Sequence, residues 1–449
     1  MKRVVFFGLI LFVAAATSCN KKDYKTVMHD PNLYCSAIHE LNYVVIYDIF
    51  TPPVASRVFA YANLAAYETL AKEGKHYGSL EGKIKDLNNI PSPAKPEQVD
   101  FPFASVIAMT KVGRELTFSE ARMDALIDSI KNLAKNTNMT SEMFDSSVSY
   151  GNAVANAILD WSKKDNYGKT RGAKFTVTGL AGHWSPTPPG YFDAVEPKWM
   201  TIRTMALDSP NTFPIVPPPP FSTDSTSEFY KMAKQVYDTV NTNDDAHKWI
   251  ANFWDCNSFK MHQEGHVMFA TKAMTPPGHW MEIINTVTKK EKADWYQTVF
   301  AYTGSSIAMF DGFIACWWCK YHYDMIRPET YINQYIDPNW KPFLQTPPFP
   351  EYISAHSVIS AGAAEFLTKL YGDHVSFVDS SERDWSWPDR HFNSLNDAAW
   401  EVSMSRFYGG IHYFKAIVEG RKQGAQIGDL VWDKLMSPSE KVAYNNKGK

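Results

Sequence analysis

Cysteine is scarce in this chain, with 5 cysteines among 449 residues. Cys19 stands at the end of an N-terminal apolar segment, and Cys35, Cys256, Cys316 and Cys319 are scattered over the rest. Four scattered cysteines in a chain of this length do not make a disulfide framework. The Cys316-Trp-Trp-Cys319 pair lies inside a helical pattern and lacks the second pair that would complete a zinc site, so buried thiols are favoured over a metal or redox function.

Net charge and long hydrophobic runs are also small. The formal net charge is −3, which gives no electrostatic reason to expect nucleic acid or an anionic membrane as a partner. No segment after the N-terminus is predicted to be long and apolar enough for a transmembrane helix. The sequence also lacks a glycine-rich phosphate loop, an internal repeat and sustained strand alternation, so helical periodicity is the main structural signal.

The first 18 residues resemble a bacterial lipoprotein signal peptide. A positive start, Met1-Lys2-Arg3, precedes an apolar run from Val4 to Thr17 that is too short to span a bilayer. Cleavage before Cys19 and lipidation of its thiol are predicted, followed by a polar tether over residues 19–34. The protein is therefore expected to be an exported bacterial lipoprotein at the outer membrane or cell surface, with the periplasmic face and plain secretion as the alternatives.

Helical periodicity covers most of the remaining chain. Hydrophobic residues make up 45% of the sequence and aromatic residues 14%, which is enough for a large core. The predicted fold is all-α, with helical bundles, expected as two four-helix bundles, and long Pro-rich surface loops. Residues 35–449 are expected to form a single helical body. Its C-terminal part, about 295–435, would carry the functional site.

Two segments allow more than one interpretation. Asn166 to Ser222 is rich in proline and is expected to lie over the helical body or to form a wall of its cleft, because its large aromatic side chains favour burial; a structureless linker is the alternative. Ser258 to Ala273 is predicted as a helix on which His262 and His266 share one face. That spacing suits a metal ion, but a third ligand is missing, so a metal site is disfavoured here.

Three segments near the C-terminus place cations, a hydroxyl and imidazoles among apolar residues. They are Lys320-Tyr-His-Tyr-Asp-Met-Ile-Arg327-Pro328, Pro350-Glu-Tyr-Ile-Ser354-Ala355-His356 and Ser405-Arg406-Phe-Tyr-Gly409-Gly410-Ile-His412. An uncompensated buried cation costs on the order of several kcal/mol, and an oxyanion with many acceptor oxygens would compensate such a cluster. Lys320 and Arg327 are seven residues apart on one predicted helix, so they are expected to project from the same face.

The order Lys-x6-Arg-Pro, Ser-x-His and Ser-Arg-x5-His resembles the three-part signature of the vanadium-dependent haloperoxidases and of the acid phosphatases that share their superfamily. Thr51-Pro-Pro and Trp184-x-Pro-Thr-Pro-Pro189 look like the bacterial haloperoxidase branch. The likeness extends over most of the chain after the signal segment. It implies a vanadium-dependent haloperoxidase, an enzyme of the peroxidase class.

The resemblance implies a role for each residue of the three segments. The catalytic residues would be His356, which takes a proton from hydrogen peroxide, and His412, which binds the metal of the cofactor axially. The vanadate cofactor would be held by Lys320, Arg327, Ser354, the N–H of Ala355 and Arg406. The implied reaction is oxidation of a halide by hydrogen peroxide, with iodide or bromide favoured and a small organic acceptor as a further partner. Arginine forks suit oxyanions, and a neutral imidazole suits a coordination bond.

Two positions depart from the family pattern. Ala355 stands where glycine is usual; it keeps the backbone donor but adds a methyl group that would crowd the oxyanion. Ala416 stands where the phosphatase branch has an aspartate that orients the last histidine, so a histidine nucleophile would need another partner, such as a backbone carbonyl. The alternatives are therefore an exported acid phosphatase with His412 as nucleophile and a non-catalytic oxyanion-binding lipoprotein.

Overall fold

Helices dominate the computed structural model, which describes residues 21–257, 260–264, 267–270 and 273–436. In chain order the helices are α1 (Tyr24–Met28), α2 (Pro31–Tyr47), α3 (Pro52–Ala71), α4 (Phe101–Leu116), α5 (Glu120–Lys135), α6 (Ser141–Ser162), α7 (Tyr167–Thr170), α8 (Glu228–Thr242), α9 (Asp245–Phe253), α10 (Pro276–Lys290), α11 (Trp295–Tyr323), α12 (Pro328–Tyr335), α13 (Ala355–Tyr371), α14 (Leu395–Tyr408) and α15 (Phe414–Leu435). The described strands form two antiparallel hairpins, β1 (Met261–Glu264) with β2 (Val267–Ala270) and β3 (Phe377–Asp379) with β4 (Arg390–Phe392). The prediction of an all-α fold is confirmed.

The first helical bundle is organised around α3, whose residues are almost all buried. Pro52 and Pro53 occupy its first turn, where a missing N–H costs nothing, and the Thr51 hydroxyl caps that turn. α3 packs against α4, α6 and α11. Gly151 lets α6 approach α4 closely, because a Cβ at this position would lie 2.4 Å from the carbonyl oxygen of Ala104.

The second bundle consists of α11, α13, α14 and α15. The close crossing of α13 and α15 depends on glycine: a Cβ at Gly424 would lie 2.0 Å from the carbonyl oxygen of Val358, and a Cβ at Gly428 would lie 2.5 Å from that of Gly362. Helix α11 also packs against α3 of the first bundle. One long helix therefore belongs to both bundles and delivers its C-terminal end to the second.

Helix α11 has the length and composition of a membrane span, with a mean hydropathy of 1.3 over its most apolar 18-residue window. The prediction that no later segment is long and apolar enough is therefore wrong. That window is completely buried inside the molecule, because α11 is shared by two bundles and has protein on every side. A helix that is apolar all round is expected in such a position.

The predicted helix over Ser258 to Ala273 is wrong. The described residues of this segment include the antiparallel pair β1 and β2, in which His262 lies opposite Phe269. Successive residues of a strand point to opposite faces, so the helical spacing on which the histidine pair was based does not apply. The second histidine of that pair, His266, lies outside the described residues.

The predicted tether over residues 19–34 is too long. Helical structure begins at Tyr24, and α2 begins at Pro31 with the Asp30 side chain as its N-cap. Met28 and Tyr34 are completely buried in the main core. The short polar stretch gave no periodicity from which these two helices could be predicted, yet their apolar residues belong to the helical body.

The Pro-rich span from Asn166 to Ser222 lies against the helical body, as predicted. Trp184 and Trp199 are buried. The carboxylate of Asp311 in α11 accepts three backbone N–H groups of the span at 2.6–2.8 Å, those of Met205, Ala206 and Leu207. These bonds fix the span to α11, and the interpretation of a structureless linker is wrong.

Candidate active site

The seven predicted site residues lie at helix ends of the second bundle or in the loops beside them. Lys320 is in the last turn of α11, Arg327 precedes α12, Ser354 is the N-cap of α13 with Ala355 and His356 in its first turn, Arg406 is in the last turn of α14, and His412 lies between α14 and α15. His356 is partly exposed, and the other six are at most 6% exposed. Three distant segments of the sequence are thus brought together at one end of the bundle.

The prediction that Lys320 and Arg327 share one continuous helix is wrong. Helix α11 ends at Tyr323, and the next residue, Asp324, has a left-handed backbone with φ 44°. Arg327 follows in an extended conformation as the residue before α12. The two cations nevertheless approach the same aromatic ring, because Lys320 Nζ and Arg327 Cζ each lie 5.0 Å from the centroid of Phe349.

Lys320 is held by backbone carbonyl groups. Its Nζ donates to the carbonyl oxygens of Pro350 and Glu351 at 3.1 and 2.9 Å. Desolvation lowers the pKa of Lys320 to about 8, because burial disfavours the charged form of an amine. Lys320 is therefore still charged at neutral pH but is sensitive to whatever charge lies beside it.

Arg327 has an unused donor. Its Nε donates to the carbonyl oxygen of Phe349 and its Nη1 to that of Ile411, both at 2.9 Å. The buried Nη2 has no hydrogen-bond partner within the part of the chain that the structure describes. Desolvation lowers the pKa of Arg327 to about 10. A buried guanidinium with a free N–H group indicates that an acceptor belongs beside it.

Arg406 approaches the site from α14. Its Nη2 donates to the carbonyl oxygens of Ala251 and Trp254 at 3.3 and 2.9 Å, and its Nε donates to Ser405 Oγ at 3.0 Å. The carboxylate of Asp255 faces it at 3.6 Å, a distance that allows an ion pair but not a good hydrogen bond. Burial lowers the pKa of Arg406. Asp255 was not predicted as a site residue, because it follows the aromatic end of α9 and belongs to no sequence motif.

His412 is oriented by a buried carboxylate. Its Nδ1 lies 2.7 Å from Glu351 Oε1, which also accepts the Tyr413 N–H at 3.0 Å. On the other side of the ring, Nε2 lies 3.4 Å from Arg327 Nη1. Because a guanidinium only donates, Nε2 carries the lone pair and Nδ1–H donates to Glu351. This tautomer presents Nε2 as the atom that can bind a metal.

The charges around His412 favour its neutral form. Desolvation, and then the positive charges of Arg327 and Lys320, lower the pKa of His412 well below its usual value. Burial raises the pKa of Glu351 to about 7, and Glu351 Oε2 has no hydrogen-bond partner among the described residues. Glu351 was not predicted as a site residue, because Ala416 stands where a carboxylate partner of His412 was expected. The one sequence feature that could have indicated this role is the presence of a glutamate within the otherwise apolar stretch from Pro350 to Ile353.

His356 offers a free ring nitrogen. Its Nε2 is buried and has no hydrogen-bond partner in the described part of the molecule. Desolvation lowers the pKa of His356 well below its usual value, and Arg406 and Lys320 add to the effect. A neutral imidazole with an open nitrogen can accept a proton from a bound molecule.

The start of α13 supplies neutral donors. Ser354 Oγ accepts bonds from the Ser357 N–H at 3.4 Å and from Ser357 Oγ at 2.9 Å. Both bonds are accepted by Ser354, so its own hydroxyl hydrogen can donate. The N–H of Ala355 lies in the first turn of the helix, where no preceding carbonyl of the same helix can receive it. Ala355 lines a cavity at this end of the helix.

This cavity has a volume of about 50 Å³, which is room for one small ion with little water. Its wall includes His356, Arg406 and His412 together with Phe349 and Ile411. Lys320 and Arg327 reach the cavity wall through their contacts with Phe349 and His412.

The donors around the cavity fit a tetrahedral oxyanion. Three buried cations, Lys320, Arg327 and Arg406, face two carboxylates, Glu351 and Asp255, and the pKa of Glu351 is raised to about 7. The site therefore has excess positive charge. Among the described residues it also has a buried N–H donor without a partner, at Arg327 Nη2, which an anion with several acceptor oxygens would satisfy.

A helical fold with such a cavity defines an oxyanion-binding protein, and the comparisons with known proteins define its class further. Residues 300–441 match the family model of the VCPO second helical-bundle domain. The structure of a bacterial vanadium-dependent iodoperoxidase is similar over 90% of this chain and 97% of that one, with 44% sequence identity and a TM-score of 0.85. A comparison with curated proteins gives no match.

Two further structures share the fold. The holo and apo forms of a bacterial vanadium-dependent chloroperoxidase have TM-scores of 0.64, with identities of 18% and 16%. The alignments cover 86% of this chain and 93% and 94% of those chains. Identities this low support the architecture alone.

This chain belongs to the vanadium-dependent haloperoxidase family. It is an enzyme of the peroxidase type that uses vanadate and oxidises halide with hydrogen peroxide. The predictions of family, cofactor and reaction class are confirmed, and the alternative of a non-catalytic binding protein is wrong.

Proposed function

We propose that this protein oxidises iodide, and bromide less readily, at the cavity bounded by His356, Arg406 and His412. The observation that carries the proposal is a small cavity lined by Arg406 and by the neutral, carboxylate-oriented His412, with buried Lys320 and Arg327 in contact with its wall residues Phe349 and His412. The 44% identity to a protein described as an iodoperoxidase supports the choice of iodide. Iodide and bromide are also easier to oxidise than chloride.

Each donor would hold one part of the vanadate. Lys320, Arg327 and Arg406 would neutralise its oxygens, and Arg327 Nη2, which has no hydrogen-bond partner among the described residues, would donate to one of them. The Ser354 hydroxyl and the Ala355 N–H add neutral donors. His412 Nε2, whose lone pair is set by the bond from Nδ1–H to Glu351 on the opposite side of the ring, would bind the metal.

When bound, vanadate supplies a Lewis acid that polarises peroxide oxygen toward attack by halide. Residues of this chain accept the proton and hold the positive charges that this reaction requires. Neutral His356 takes the proton that hydrogen peroxide releases, because its Nε2 is unpartnered and its pKa is depressed. Lys320 and Arg327 keep their positive charges in place through carbonyl contacts, so they need no reorganisation during the reaction.

One observation favours phosphate ester hydrolysis as a second activity of the same site. The sequence argued against a histidine nucleophile because Ala416 stands where an orienting aspartate is expected. The structure supplies another carboxylate, since Glu351 Oε1 lies 2.7 Å from His412 Nδ1. A carboxylate in this position orients a histidine for nucleophilic attack. In that reaction His412 would attack phosphorus, and His356 would have to gain a proton, once a bound phosphate ester offsets the charges of Arg406 and Lys320, before it could protonate the leaving group.

The export of the protein and its lipid anchor are part of the proposal. The N-terminal pattern that ends at Cys19 favours lipidation, with the enzyme held at the outer membrane or cell surface. The test is incorporation of labelled fatty acid into the full-length chain expressed in a bacterial host. Label is expected in the wild type and not in Cys19→Ser; equal labelling of both would contradict the anchor.

The test of the catalytic proposal uses purified protein with and without orthovanadate. Iodide oxidation by hydrogen peroxide is measured beside hydrolysis of a chromogenic phosphate ester. Vanadate-dependent iodide oxidation is expected, with bromide slower. Hydrolysis that vanadate inhibits would instead identify phosphatase action, and oxidation that does not depend on vanadate would overturn the cofactor assignment to these residues.

A further inference from the structure

A second cluster of buried polar groups lies beside the oxyanion cavity. Cys256, His279 and Glu382 are each no more than 8% exposed, and their ligand atoms all lie within 4.8 Å of one another. They come from three separate segments: the loop after α9, helix α10 and the turn after β3. None of the roles described above uses His279 or Glu382, and Cys256 also lines the oxyanion cavity.

The hydrogen bonds of His279 decide which of its nitrogens faces the cluster. Its Nε2 lies 2.8 Å from Asp379 Oδ2 and 2.7 Å from Ser381 Oγ. The Ser381 hydroxyl donates to Asp379 Oδ1 at 2.6 Å, so its oxygen accepts from Nε2–H. The proton of a neutral His279 therefore sits on Nε2, and Nδ1 presents a lone pair to Cys256 and Glu382. A carboxylate behind a histidine is the usual support of a metal-binding imidazole.

Two of the three separations within the cluster are close to the edges of a tetrahedral zinc site. Zn–S bonds of about 2.3 Å and Zn–N and Zn–O bonds of about 2.1 Å place sulfur and nitrogen ligands about 3.6 Å apart, and nitrogen and oxygen ligands about 3.4 Å apart. His279 Nδ1 lies 3.5 Å from Cys256 Sγ and 3.4 Å from Glu382 Oε1. The donor set of thiolate, imidazole and carboxylate is also the set that zinc prefers.

The electrostatic surroundings favour a cation at this point. Asp379, Glu382 and Asp255 are all nearly buried around Cys256 and His279. Arg406 faces Asp255 at 3.6 Å and offsets one negative charge. A divalent ion would offset the remaining acids and deprotonate the thiol.

We propose that Cys256, His279 and Glu382 bind one zinc ion, with Asp379 as the residue that orients His279 and with the fourth coordination position open. The ion would tie α10 and the turn after β3 to the loop after α9. That loop carries Asp255, the carboxylate opposite Arg406. Zinc would thereby hold Asp255, the partner of Arg406, in place.

The test measures metal binding directly, with tag-free full-length protein that has been treated with a chelator and contains no vanadate. Addition of zinc followed by gel filtration should leave one zinc per chain. The cobalt(II) form should show a thiolate-to-cobalt absorption band in the near ultraviolet and the strong visible bands of tetrahedral cobalt. Absence of stoichiometric zinc, or a cobalt spectrum without the thiolate band, overturns the proposal, because His279 would then be held by hydrogen bonds alone.

Variants separate this site from others. Cys256→Ser should abolish the thiolate band, and Glu382→Gln should reduce zinc retention while keeping the shape of the side chain. Asp379→Asn should weaken zinc affinity about 10- to 100-fold. Cys35→Ser is the matched control, since Cys35 is also buried and unpaired with another cysteine, and it should leave the band intact. A band that persists in Cys256→Ser or disappears in Cys35→Ser contradicts the assignment.

Discussion

Both helical bundles bury arginine, and Arg57 of the first and Arg327 of the second are compensated in different ways. In the first bundle, Arg57 Nε pairs with the buried carboxylate of Asp165 at 2.7 Å, and its Nη2 donates to the Ser162 carbonyl at 3.1 Å. In the second, Arg327 binds carbonyl oxygens and leaves Nη2 without a partner in the described chain. Burial of either charge is costly, but only the first cost is offset within the protein.

Buried carboxylates show the same contrast. Asp311 accepts three backbone N–H groups from the Pro-rich span, whereas Glu351 Oε2 has no partner among the described residues. The pKa of each is raised by burial, Asp311 to about 6 and Glu351 to about 7. A buried charge with all its bonds made holds the fold together, and one with open bonds marks the place of a ligand.

The largest expected effect comes from removing the axial ligand. His412→Ala should lower the rate of vanadate-dependent iodide oxidation by about 10²- to 10⁴-fold, the range expected for loss of a group that acts directly on the reaction. The measurement is the steady-state rate at saturating vanadate. His322→Ala is the control, because His322 is exposed and stacks on Trp318, and its rate should be close to wild type. Equal losses in both variants would contradict the assignment.

A crossed pair of arginine variants tests the comparison itself. Arg57→Ala should reduce the free energy of unfolding by about 3–5 kcal/mol, because it leaves Asp165 buried without a cation. Arg327→Ala should weaken vanadate binding by about 1.5–3 kcal/mol, or roughly 10- to 100-fold in Kd, with a smaller loss of stability. Chemical denaturation and vanadate titration of both proteins measure the two quantities. If Arg57→Ala weakens vanadate binding as much as Arg327→Ala does, the distinction between the two arginines fails.

Two buried glutamates provide a narrower comparison. Glu351→Gln should weaken vanadate binding about tenfold, the lower end for loss of a supporting carboxylate, since glutamine keeps an acceptor oxygen for the His412 N–H. Glu68→Gln should leave vanadate binding unchanged. Burial raises the pKa of Glu68 to about 7 as well, but this glutamate accepts bonds from Ser79 and Leu80 in the first bundle. A vanadate titration of the two variants decides the matter, and identical affinities would argue against the role of Glu351.

The smallest expected effect is a pH dependence. The pKa of Lys320 is lowered to about 8 by desolvation, so the amine loses its charge as the pH rises through 8 and the site loses attraction for an anion. The vanadate affinity of the wild type relative to Lys320→Met should therefore fall above pH 8, by up to about tenfold per pH unit. Both proteins meet the same vanadate species at each pH. The ratio of their two affinities is therefore unaffected by the titration of vanadate itself. A ratio that stays constant from pH 7 to about pH 9 would show that Lys320 does not sense the anion.

The helical class and the residues that line the site were predictable from the sequence, since helical periodicity and the spacing of basic residues are local signals. The end of α11 at Asp324 was not predictable, because the left-handed backbone that ends this helix is adopted by an aspartate and not by the glycine that would have signalled it. Glu351 and Asp255 were missed for another reason: a partner that comes from a distant segment has no fixed spacing. The β1–β2 segment was misassigned because short apolar runs fit both helix and strand.

Orthovanadate titration of the cofactor-free protein at neutral pH, followed by calorimetry, tests most directly whether the buried cations serve one anion. The expected result is saturable binding of one vanadate per chain, with severe loss of affinity when Lys320, Arg327 and Arg406 are replaced together by alanine. Absence of saturable binding to the wild type, or an affinity that the triple replacement leaves unchanged, would contradict this account.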